Sequence, residues 1–80
     1  MQSNKVSEMS PEQAEALLER AKMSVLFNYE RVTGQNLYGS FPDRSIWNTL
    51  NYQKAAATAI RNAEQFGRSF IAKIIRENLL

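Results

Sequence analysis

Ser10 to Gly34 reads SPEQAEALLERAKMSVLFNYERVTG, and its punctuation predicts one long helix. Ser10 is a good N-cap, Pro11 suits the first helical position, and Gln13 stands three residues after the serine, as a capping box requires. Glu12 and Glu15 lie in the first turn, where carboxylates offset the positive end of the helix dipole. Gly34 is placed to take the left-handed conformation that ends many helices, so the helix should stop near Thr33. The polar, aperiodic residues 1–9 read as a loose N-terminal tail, leaving a single helical domain over 10–80.

At about 100° per residue, Ala14, Leu17, Leu18, Ala21, Val25, Asn28, Tyr29 and Val32 define one face of this helix. Glu12, Glu15, Glu19 and Glu30 lie on the opposite one. Met23, Leu26 and Phe27 fall outside the first face. Each contributes about 1.5–3 kcal/mol if fully removed from water, a large share of the stability of a domain this small. Something should cover them: either the 41–52 segment folded back as a third helix, or another chain.

After the turn-like stretch GQNLYGS at 34–40, a second helix start is written at Ser40, Pro42 and Asp43. A helix from about Phe41 to near the C-terminus would run roughly 50 Å at 1.5 Å per residue. Its apolar phase shifts, however. Ile46, Trp47 and Leu50 do not share the face set by Ala56, Ile60, Ala63, Phe66, Phe70, Ile71 and Ile74, so a break, kink or change of partner is expected near Asn51 to Gln53. The fold class is therefore all-α: two long antiparallel helices, with a short third helix over 41–52 as a variant, forming a helical hairpin that self-associates into a bundle, most simply a symmetric dimer.

The composition fits this reading. Eighty residues, 44% hydrophobic and 22% charged, describe one soluble domain near the lower limit for folding without help. There is no cysteine and no histidine, which removes disulfides, thiolate nucleophiles and the usual zinc sites, so neither metal nor cofactor is expected. The same lack of cysteine fits a reducing compartment, and a cytoplasmic location is expected. No apolar run approaches the ~18 residues of a membrane span, and the start lacks the apolar core of a signal peptide; no membrane association is expected. Size and simplicity are those of proteins that phages and mobile elements often encode.

Ala55, Ala59, Ala63 and Gly67 recur at every fourth position and form a ridge almost without side chains. Another helix can approach such a ridge more closely than the usual 8–10 Å, whether it belongs to the same chain or to a second copy. Together with Met23, Leu26, Phe27, Phe70, Ile71 and Ile74 these residues make the candidate oligomer interface. Tyr38, Phe41, Trp47 and Tyr52 gather between the helices with Arg44 among them, and are candidate partner-binding residues because Tyr, Trp and Arg anchor interfaces most often. The same rings would equally plug the end of a helical hairpin.

Charge is uneven. Residues 1–40 carry a net −1 and residues 41–80 a net +3. Lys54, Arg61 and Arg68 are spaced by seven, with Arg76 near them on the helical wheel, and would form a positive stripe able to meet an anion or a nucleic-acid backbone. A solvated helix face has the same appearance. Catalysis finds poor candidates: the Glu8, Glu12, Glu15 and Glu19 stripe has no histidine to complete a helical-bundle metal site, no serine has a base beside it, and no glycine cluster cradles a phosphate. The functional expectation is a small non-enzymatic protein-protein interaction module, an adaptor or inhibitor acting as a homo-oligomer. The alternatives are a nucleic-acid-associated protein and a bundle that sequesters a small anionic ligand or nucleotide between subunits.

Overall fold

The computed structural model describes residues 10–80, and the expected tail at 1–9 lies outside the described residues. Helix α1 spans Pro11–Thr33 and begins and ends as its sequence predicts. The Ser10 hydroxyl accepts from the Gln13 amide at 3.2 Å. Gly34 takes φ 74°, and its N–H donates to the Glu30 carbonyl, closing the left-handed cap.

The expected second long helix is instead two helices, and neither starts at Phe41. Asp43 caps only a short 3-10 turn over Arg44–Ile46. Hydrogen bonds from the Ser45 hydroxyl and amide hold the Asp43 carboxyl below the usual carboxylate range. Helix α2 spans Leu50–Gln65, with the Thr49 hydroxyl accepting from the Tyr52 amide at 3.3 Å as its true cap. The phase shift expected near Asn51 thus marks a helix start, one turn after the Ser40-Pro42-Asp43 signal has been spent on a turn.

Helix α2 ends at a Schellman motif. Gly67 takes φ 73°; Arg68 N–H donates to the Ala63 carbonyl at 2.7 Å and Gly67 N–H to the Glu64 carbonyl at 3.2 Å, the 6→1 and 5→2 bonds that define the motif. Helix α3 then spans Ser69–Asn78. Gly67 is therefore a turn residue and leaves the small-residue ridge, a correction to its expected place on a helix face. Nothing lies within 4 Å of where a Cβ on Gly67 would sit, so Gly67→Ala should cost only the left-handed backbone strain, roughly 1–2 kcal/mol. A urea midpoint lowered at unchanged slope would register this.

The described residues form an all-α bundle in which each helix packs against the other two. The core joins Ala21, Val25 and Tyr29 of α1, Tyr52, Ala55, Ala56, Ala59 and Ala63 of α2, and Ile71, Ala72, Ile74 and Ile75 of α3, with Leu79 beyond it. The alanine ridge of α2 thus packs within its own chain. Short side chains bring backbones close, and the branched side chains of α3 fill the third side. No buried side-chain polar atom of the described residues lacks a hydrogen-bond partner.

Candidate interaction surface

The residues expected at an oligomer interface divide sharply. Ala55, Ala59, Ala63, Leu26, Ile71 and Ile74 are buried within the single chain, so as surface residues they are corrected: they belong to the chain's own interior and are unavailable to another copy. Met23, Phe27 and Phe70 remain outside, at 40%, 54% and 37% exposure.

The backbone path explains why Leu26 separates from its two neighbours. After Gly34 the chain turns back along one side of α1. The Leu37 amide donates to Glu30 Oε2 at 2.7 Å, and the Lys22 ammonium lies 5.9 Å from the centre of the Phe41 ring. Glu30, Leu26 and Lys22 follow one another at four-residue steps on that side of the helix, so this connection closes over Leu26. Met23 and Phe27 lie further round and escape it. The cover expected from a third helix over 41–52 comes instead from an irregular segment, and it covers one residue of three.

Beside the open face runs a shallow cleft of about 230 Å³ lined by Arg20 and Ser24 of α1, Asn62 and Ala63 of α2, Phe66 and Arg68 of the turn, and Ile71 of α3. Its volume falls below the ~300–1,000 Å³ of small-ligand pockets. Phe66 is 76% exposed at its rim. The sequence reading assigned neither Arg20 nor Phe66 to a surface; the sign that could have revealed Phe66 is the glycine after it, which ends the helix and turns the ring outward.

The aromatic group between the helices is largely self-satisfied. Trp47 stacks on Tyr52 with centroids 5.5 Å apart and planes at 7°. Phe41 meets both rings edge-on, at 6.0 and 6.2 Å, and Tyr29 adds a tilted contact at 6.2 Å. Trp47 Nε1 donates to the Pro42 carbonyl at 3.1 Å, and the Arg44 guanidinium lies 5.1 Å from the Trp47 ring centre. Tyr52, with no exposed surface, is corrected from partner-binding to core. Phe41 and Trp47 are half-buried as the plug of one end of the bundle, and Tyr38 alone of the group stands fully outward, at 87% exposure.

The four expected basic residues do not form one stripe. Arg76 pairs with Glu64 at 2.7 Å, and Arg68 lies in the turn and lines the cleft. Lys54 and Arg61 stay exposed on α2. Glu12, Glu15 and Glu19 are likewise exposed, and among the described residues no group of three acidic side chains is arranged to hold a metal ion. Among the described residues no helix is long and apolar enough to cross a membrane. Comparison with protein-family models, curated proteins and solved structures finds no match to this chain. The functional reading therefore rests on this surface and its chemistry.

Proposed function

We propose that this chain is a small non-enzymatic interaction protein of the cytoplasm, an adaptor or inhibitor, that works as a homodimer joined through the outer face of α1. One observation carries the reading: the core closes without Met23 and Phe27, leaving two large apolar side chains one turn apart on the open face of the longest helix. Covering a Phe or Met is favourable by about 1.5–3 kcal/mol when complete, and a two-fold contact counts each residue twice. Tyr38 and Arg44, both exposed, are left for a further protein partner.

The nucleic-acid alternative draws less support. With Arg76 neutralised by Glu64 and Arg68 displaced into the turn, the stripe reduces to Lys54 and Arg61, too few phosphate contacts for tight backbone binding. Sequestration of a small anion draws less still, given the size of the cleft beside Arg20 and Arg68.

Phe27→Glu tests the proposal. The side chain is more than half exposed, so the variant should keep its helical circular dichroism while its light-scattering mass falls from dimer to monomer at low micromolar concentration. A variant mass equal to that of a dimeric wild type would overturn the assignment of this face.

A further inference from the structure

The cleft lined by all three helices gathers two arginines and two neutral donors that the chain itself leaves without partners. Arg20 lines it from α1 and Arg68 from the turn before α3, and neither joins an ion pair or lies over a ring among the described residues. Ser24 and Asn62 line it too, and both are half-buried. Beyond the helical ladder, each enters the hydrogen bonds of the described residues only through its main-chain carbonyl. No buried side-chain polar atom of those residues lacks a partner, so the Ser24 hydroxyl and the Asn62 amide reach solvent. None of the residues lining the cleft is acidic.

We propose that this cleft binds the phosphate group of a phosphate monoester. The inference is independent of the self-association proposed above. It also differs from enclosing a nucleotide between subunits, because one chain supplies the whole site and only the phosphate group enters it. Charge and donor chemistry select the ligand. Each guanidinium is a permanent cation that donates hydrogen bonds and accepts none, and its fork of N–H groups matches the oxygens of a phosphate. A phosphate monoester carries about −1.5 to −2 at neutral pH and presents three strong acceptor oxygens, which balances both arginines and leaves an oxygen for Ser24 and Asn62. A carboxylate brings a single charge and leaves one arginine uncompensated.

The helix ends around the cleft favour the same sign. The first turn of α3 borders it through Arg68 and Ile71, and no side chain caps that turn. Among the described residues the Ser69 and Phe70 amides have no main-chain acceptor, so this positive helix end adds to the two guanidiniums. The opposing C-terminal end of α2 is quenched, because the carbonyls of Asn62, Ala63 and Glu64 already accept from the Phe66, Arg68 and Gly67 amides. Phe66, largely exposed at the rim, offers an apolar ring to the group that carries the phosphate.

Titration of the isotope-labelled full chain with phenyl phosphate at constant ionic strength, read by amide NMR shifts, tests the site. Saturable shifts should centre on residues 20–24 and 62–71. Arg20→Gln and Arg68→Gln should each weaken binding about tenfold or more, as expected for loss of a charged hydrogen-bond donor. Both side chains are exposed, and circular dichroism should show both variants folded. Lys54→Gln removes the same charge from an exposed position on α2 outside the cleft and should change affinity by less than about twofold. A short peptide carrying one phosphoserine separates the two sources of the group. Binding at least as tight as that of phenyl phosphate assigns it to a protein partner, and weaker binding assigns it to a small molecule; the site stands in either case. Three results would overturn it: no saturable shift with either phosphate up to ~10 mM, benzoate bound as tightly as phenyl phosphate, or a loss in Lys54→Gln equal to that in the arginine variants.

Discussion

Tyr52→Ala is expected to remove about 3–5 kcal/mol of stability, the usual cost of deleting a large buried ring. A chain of this length has roughly 4–12 kcal/mol in total, so the variant should lose between about a quarter and the whole of it. The size of the effect follows from position. The Tyr52 ring has no exposed surface and is packed by Tyr29, Phe41 and Trp47. Its hydroxyl donates to the Leu79 carbonyl at 2.6 Å, tying the end of the chain to the first turn of α2.

Tyr52→Phe separates the two contributions. It keeps the ring contacts and leaves the Leu79 carbonyl without its partner, at a cost of about 1–3 kcal/mol. Urea denaturation of the two variants reads both numbers, and a Phe variant as unstable as the Ala variant would contradict this division. The same burial pushes the phenol pKa up to about 12. An unfolded tyrosine ionises near 10, so in alkaline solution the unfolded state loses its proton first. The contribution of Tyr52 to stability is whole below pH ~10 and falls as the pH rises through 12; in Tyr52→Phe that alkaline loss should shrink.

The second large effect is expected at Ala59. Ala55, Ala56 and Ala59 are fully buried, and their short side chains set how closely α2 meets its neighbours. Ala59→Leu forces extra methylene groups into that contact and should cost about 1–3 kcal/mol, or more if α3 is displaced. Ala57, two residues away and exposed, is the control: Ala57→Leu adds the same atoms to solvent and should change stability by no more than about 0.5 kcal/mol. Equal losses at the two positions would contradict the packing described.

The residues that declared themselves in the sequence are those whose local chemistry has one meaning. Ser10, Pro11 and Gln13 can hardly be read except as a helix start, and Gly34 after a long amphipathic run ends it; both stand as expected. The errors fall where one pattern serves two structures. Ser40, Pro42 and Asp43 suit a helix cap and a turn equally, and the choice was made by distant contacts: Trp47 stacks on Tyr52 and reaches back to the Pro42 carbonyl. Gly67 fits a small-residue ridge as well as it fits a C-terminal cap. Only the packing of α3 against both other helices, a long-range matter, requires the chain to reverse there.

The surface was legible to a similar degree. Helical spacing placed Met23 and Phe27 away from the core, and their exposure agrees. Leu26 could not be separated from them by periodicity, because an irregular connection covers it and irregular segments carry no period. The aromatic residues were visible as a group, but whether rings face a partner or one another depends on the backbone path between Gly34 and Thr49, which no local rule fixes.

The central claim, that the open face of α1 is where this chain meets a second copy of itself, is tested most directly by the solution mass of the wild-type protein. Multi-angle light scattering over concentrations down to low micromolar should give twice the 9.2 kDa of one chain, falling toward the monomer only at the lowest concentrations. A well-folded monomer across the whole range would contradict the account and leave Met23 and Phe27 to a different partner.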